Sequence, residues 1–186
     1  MKNLNASFRK LQVLQTAINL FKQYGFNKVG VDRIIAESQL TKATFYNYFH
    51  SKERLIEMCL MHQKDMLMEQ MRKVIETSQY SPLTHQLRQI YLIHADLNSA
   101  YYLLFKAIFE IKMLYPHAYQ SAIRYRRWLK NETFCLMVET KKTASYAEAE
   151  IFGFMIDSAI LELLSSHQNE EPKALLEYFL TRFIVV

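Results

Sequence analysis

The chain has 186 residues, 51% of them apolar, a formal net charge of +5, and only three glycines and three prolines. That is too much apolar mass for a disordered chain and enough for a buried core. The shortage of turn formers, the abundance of Leu, Ala, Met, Lys, Glu and Gln, and the lack of hairpin signals exclude a β-rich fold and point to an all-α protein.

The spacing of Leu11, Leu14, Ala17, Ile18 and Phe21 predicts a first helix over 9–24 with one buried stripe. Gly25 follows where a helix end favours positive φ, and Phe26 can fold back onto the stripe. A short second helix is expected over 31–38, with Gly30 as N-cap, Asp32 in its first turn and Ile34 and Ile35 as anchors. After the break at Gln39-Leu40, Thr41 caps a third helix over 42–49. His50-Ser51 ends it, and Ser51 caps a fourth over 52–78, closed by Ser81-Pro82. A fifth is expected over 82–97, a sixth over 100–114 and, past Tyr115-Pro116, a seventh over 118–141. An eighth spans 145–167, and a ninth opens at Pro172 and runs to the chain end. The expected architecture is about nine helices, with an N-terminal three-helix domain over 1–51 and a helical body over 52–186.

Charge divides the chain in the same way. Residues 1–56 carry nine Lys/Arg against three acids, a net +6, which leaves the remainder near −1. A basic head on a near-neutral body suggests a polyanion partner for the head. Cys59 and Cys135 lie too far apart in sequence for a disulfide framework or a zinc ligand set and read as two buried thiols. The apolar run Ile151–Ile156 is too short to span a bilayer, and no apolar segment follows the charged start Met1–Lys10, so a cytoplasmic protein without a membrane partner is expected.

Two short helices joined by a few residues and braced by a third make a helix-turn-helix, whose second short helix enters the major groove. Phe45 and Phe49, four apart, face inward in this reading. Lys42, Ala43, Thr44, Tyr46, Asn47 and Tyr48 remain for the groove and its walls. Three consecutive residues, Tyr46 to Tyr48, cannot all be core. The stretch from Val31 to Leu55, above all Thr44-Phe45-Tyr46 through Phe49 to Ser51-Lys52-Glu53 and Leu55, resembles the signature of the TetR family of transcriptional regulators, and Tyr24-Gly25-Phe26 agrees. The resemblance covers residues 8–56; beyond them only helix number, helix lengths and chain size agree.

By position, the resemblance implies a double-stranded DNA operator as partner, with base or thymine-methyl contacts from Lys42, Ala43, Tyr46 and Asn47. It implies phosphate contacts from Thr44, Tyr48 and Lys52, with Gly30, Val31, Arg33 and Thr41 beside the DNA backbone. Two positions depart from the family pattern. Gln39 stands where the family usually has Gly, so the turn must hold a strained residue or adjust, and Gly30 stands where the family often has Thr or Ser, so one side-chain phosphate contact is expected to be missing.

The resemblance also implies a body that dimerises and holds a small effector, and the residues support this independently. The eighth helix is apolar all round, and the ninth has one apolar face, as expected of a four-helix homodimer interface formed with Gly153, Ile156, Ile160, Phe179 and Phe183. Such a dimer presents its two reading helices about 34–36 Å apart. His62, Met66, His94, Tyr101, Phe105, Trp128 and Asp157 are the candidate lining of a mostly apolar effector pocket, for which ordinary core packing is the plainer account of any single residue. No cofactor or metal is expected. The chain has no Gly-rich phosphate loop, nucleophile elbow or metal-spaced cluster, so an enzyme is not expected. The function expected is an effector-responsive DNA-binding regulator, most simply a repressor. The alternative is a helical protein-interaction module without specific DNA binding.

Overall fold

The computed structural model describes the backbone of residues 2–140, 144–165 and 174–184, and the side chains of 8–140, 144–165 and 174–182. All regular structure among them is helical: α1 Lys2–Tyr24, α2 Val31–Glu37, α3 Lys42–Phe49, α4 Lys52–Thr77, α5 Leu83–His94, α6 Ala100–Glu110, α7 Pro116–Thr140, α8 Tyr146–Ser165 and α9 Ala174–Phe179, which runs on as a π-helical turn, Leu180–Ile184. The all-α expectation holds. No helix among the described residues is long and apolar enough to cross a membrane. The expected turn at Asn169–Pro172 lies outside the described residues.

Boundaries differ where the apolar stripe is not what ends a helix. α1 starts well before its first stripe residue, because residues of fair propensity extend a helix without burying anything. α7 starts at Pro116, not at residue 118. Proline cannot continue a helix, but its fixed φ and missing N–H suit a first turn. α6 stops at Glu110 rather than 114.

The chain forms two compact units, one of residues 1–64 and 103–123, the other of 65–102 and 124–186. In the first, α1 buries Val13, Leu14, Ala17, Ile18, Leu20 and Phe21, whereas Leu11 is exposed. Gly25 adopts φ +84 and its N–H donates to the Phe21 carbonyl, an αL cap; Phe26 then stacks on Phe21 with ring centroids 4.9 Å apart. On α4 the buried face runs Leu55, Cys59, Gln63, Leu67, Met71, widened in its first two turns by Ile56 and Leu60. Met66 therefore falls off the stripe and is 44% exposed, which corrects its assignment to a buried apolar face; His62 is half-buried. The thiols also differ from expectation. Cys59 is buried, with Sγ 3.8 Å from the Leu14 carbonyl and its thiol pushed up by desolvation, but Cys135 is exposed.

In the second unit, α8 turns Ala149, Phe152, Ile156, Ala159 and Ile160 inward, and Phe152 meets Phe179 of α9 at 6.0 Å. Ile156, Ile160 and Phe179 are thus core residues of a single chain. This corrects their placement at a dimer surface, since a second copy cannot touch a side chain that its own unit covers. The outward apolar side chains are Ile151, Phe154, Leu161 and Leu164 on α8 and Leu175 and Tyr178 on α9. Gly153 is half-buried, and the side chain of Phe183 lies outside the described residues.

Candidate nucleic-acid interface

α3 is set by its two ends. Thr41, extended at φ −87 and ψ 154, accepts from the Thr44 N–H through its side chain at 3.2 Å, and the two threonine hydroxyls lie 2.8 Å apart. Such a cap contributes about 1 kcal/mol. At the other end His50 takes φ 60 and its N–H donates to the Tyr46 carbonyl. Phe45 and Phe49 are fully buried with rings 5.4 Å apart, and truncating either would cost about 3–5 kcal/mol.

With that face fixed inward, the period of 3.6 decides the rest. Lys42, Ala43, Tyr46 and Asn47 are exposed, while Thr44 and Tyr48 form a half-buried flank. Tyr46 stands edge-on to Phe45 and Tyr48 edge-on to Phe49, so each ring is braced by a core ring.

The turn before α3 holds the strain expected of it. Gln39 sits at φ 52, in the left-handed region that favours glycine. Gly30 is the N-cap of α2 and makes no side-chain capping bond. A Cβ there would meet nothing within 4 Å, so glycine is not needed for space. Val31 is half-buried at the start of α2.

Two basic side chains have protein partners, one at helical i,i+4 spacing and one that spacing does not reveal. Arg33 pairs with Glu37 at 2.9 Å and stacks on the Tyr24 ring at 3.8 Å, and both interactions raise its pKa. Lys42 reaches back 3.3 Å to Asp32, an exposed pair. Exposed pairs of this kind are weak and screened by solvent, so either cation can exchange its carboxylate for another anion or acceptor. Lys52, first residue of α4, places its ammonium 5.3 Å from the Tyr115 ring centroid.

A match to the family described as bacterial regulatory proteins, tetR family, covers residues 13–59, which hold α2, α3, the second half of α1 and the start of α4. Over those residues the chain is similar to the TetR family. The chain is 32% identical over 85 residues to the uncharacterized HTH-type transcriptional regulator YuxN of Bacillus subtilis, a stretch that is 46% of this chain and only 29% of that relative's length. Two solved TetR-family structures share the fold along nearly the whole length. A regulator from Agrobacterium tumefaciens has a TM-score of 0.84 at 16% identity, covering 95% of this chain and 98% of its own. One from Streptomyces coelicolor has 0.74 at 22% identity, covering 94% and 92%. At such identities they establish the TetR-family fold and nothing finer.

Of the residues expected to line an effector pocket, three meet in a polar cluster of the second unit. His94, fully buried, holds its Nδ1 2.7 Å from the Ile90 carbonyl and its Nε2 2.6 Å from the Tyr125 hydroxyl. A neutral ring that donates from Nδ1 and accepts the tyrosine proton at Nε2 satisfies both contacts. Desolvation accordingly lowers His94 to about 4. Tyr101 donates to Asp157 at 2.6 Å, and Arg126 pairs with the same carboxylate at 2.5 Å. Burial raises the Asp157 carboxyl, against the pull of Tyr101 and Arg126. Trp128 lies against Tyr125, with centroids 5.5 Å apart. Phe105 belongs to the other unit, where it packs on Phe109. Arg126 was missed from sequence, although an acid interrupting an apolar helix is itself a sign that a cation lies nearby.

Proposed function

We propose that the chain is a homodimeric, cytoplasmic DNA-binding transcriptional regulator, acting as a repressor that leaves its operator when a small, largely apolar effector binds its body. The observation that carries the DNA-binding part is α3 itself. A basic head anchors a short helix by two buried phenylalanines and leaves Lys42, Ala43, Tyr46 and Asn47 exposed on the opposite side. In this reading Lys42, Ala43, Tyr46 and Asn47 meet base edges. Thr41, Thr44, Tyr48 and Lys52 meet phosphates, with Gly30 and Val31 beside the backbone. Arg33 joins them by exchanging Glu37 for a phosphate.

Residues 1–51 act as the head and 52–186 as the body. The outward apolar residues Phe154 (57% exposed) and Leu161 (54%), with Ile151, Leu164, Leu175 and Tyr178, form the dimer surface. The cluster of His94, Tyr101, Tyr125, Arg126 and Asp157 supplies polar anchors among aromatic walls for the effector. Effector binding shifts α4, whose first residue is Lys52, and so changes the spacing of the two heads.

The test is selection of duplexes from a random pool by the full chain, followed by affinity measurements with Lys42→Ala and Tyr46→Ala. The wild type should prefer selected over random DNA by at least about a thousandfold. Each variant should lose about tenfold or more on selected DNA. Affinity should fall steeply with salt, with a log–log slope that is about one smaller for Lys42→Ala if its ammonium replaces a counterion. A wild type that selects nothing and binds no duplex at low salt would make the helical interaction module the better reading.

A further inference from the structure

We propose that Glu110 is a positioning residue for the reading head, through which the last turn of α6 fixes where α2 and α3 stand. This rests on the dimeric DNA-binding reading above.

The αL cap that ends α1 uses the Gly25 N–H and the Phe21 carbonyl. It does not engage the next donor, the Phe26 N–H, and the last carbonyls of any helix need partners from outside it. α6 supplies both kinds from one face. Glu110 Oε2 accepts from the Phe26 N–H at 2.8 Å, and Lys106 Nζ donates to the Lys22 carbonyl at 2.8 Å. Lys106 and Glu110 are four residues apart and pair with each other at 3.8 Å, with both side chains largely covered. The service is returned, because the Asn27 amide donates to the Glu110 carbonyl at 3.3 Å, one of α6's own terminal acceptors. Two helix C-termini therefore cap one another.

Gly25 makes room for this. A Cβ at that position would lie 2.7 Å from Glu110 Oε2, so a side chain there would push the carboxylate off the Phe26 N–H, beside the strain it would meet at φ +84.

The corner that follows α6 grips the other sequence end of the helix-turn-helix. Glu53 in the first turn of α4 accepts from the His117 N–H at 3.1 Å, and Lys52 lies over Tyr115. Residues 106–117 thus hold the chain just before α2 and just after α3, and these residues belong to the same compact unit as the head. Only four residues separate Phe26 from α2, so freeing the turn loosens the helix on which α3 rests. A loosened head still meets phosphates. It no longer presents two reading helices at one fixed separation.

The experiment uses full-length Glu110→Ala and Glu110→Gln, a selected duplex with two half-sites, and a duplex with one. Glu110→Ala should bind the two-site duplex about tenfold more weakly and the one-site duplex within about twofold of wild type, since a charge-assisted bond of this kind is lost. Glu110→Gln, which keeps an acceptor, should recover most of the loss. Hydrogen exchange at the Phe26 amide should be about tenfold faster in Glu110→Ala. The proposal is overturned if the two duplexes weaken in step, if Gln does no better than Ala, or if the Phe26 amide exchanges as in wild type. A wild type that fails to prefer selected DNA instead overturns the DNA-binding reading, while the exchange measurement still decides whether Glu110 holds the turn.

Discussion

Acid should unfold this protein partly through one imidazole. Inside the second unit His94 is fully buried, donates to the Ile90 carbonyl and accepts from Tyr125, with the Tyr101 ring edge-on at 5.1 Å. No acidic group bonds it, and its pKa falls from 6.5 to about 4. In the unfolded chain the ring takes up a proton below about 6.5, while in the fold it stays neutral until about 4. The unfolded state therefore binds more protons throughout that window, and stability falls as the pH drops through it. The loss works out at about 2 kcal/mol near pH 5 and about 3 kcal/mol once both states are protonated. His94→Gln keeps a donor and an acceptor without a titrating group. Urea midpoints of wild type and variant, measured from about pH 7.5 to 4.5 at one protein concentration, give the difference. Asp157, whose raised carboxyl works in the opposite sense, is common to both proteins and cancels. The wild type should lose about 2 kcal/mol more than the variant by about pH 5. Parallel pH profiles would show that His94 is not held neutral by its surroundings, and the reasoning would fail.

Gln39→Gly should raise stability by about 0.5–1 kcal/mol, the relief of a left-handed side chain less the backbone entropy of glycine, seen as a few degrees in a thermal melt. A lower melting temperature would mean that the glutamine side chain repays its strain. Replacing both Phe154 and Leu161 with Glu should give a helical monomer in sedimentation and weaken binding to a two-site duplex. A variant that remains dimeric would place the interface elsewhere.

The head was legible in the sequence because local rules set it. Thr41, the Phe45/Phe49 pair and Gly25 each act within a turn or two of their own position, and α3 begins and ends where its cap and its aromatic period say. The body was less legible because its partners are distant in sequence. The apolar stripe of α5 made His94 stand out, but Tyr125 lies 31 residues away, and nothing local pairs them. An all-apolar helix such as α8 carries no sign of which side is inner, so periodicity could not tell Ile156 and Ile160 from Phe154 and Leu161. The α4 stripe failed for a related reason. His62 and Met66 fit a three-or-four step as well as Gln63 and Leu67 do, but the buried face lies on the side of Ile56, Leu60, Gln63 and Leu67, burying a glutamine in preference to a methionine. Cys135 was read as buried from residue type alone, with no pattern around it to say otherwise.

Two residues, His50 and Ser51, separate α3 from α4. The first is in the left-handed region, with its N–H bonded to Tyr46; the second spends its N–H on Phe49 and its hydroxyl oxygen on the Arg54 N–H. Such a junction has no slack. A roll of α4 is therefore passed on to α3 through a joint of two bonded residues. On the DNA-binding reading proposed above, a change in the length of this junction re-aims α3 as a whole, whereas replacing side chains on α3 changes what the helix reads and leaves its placement alone.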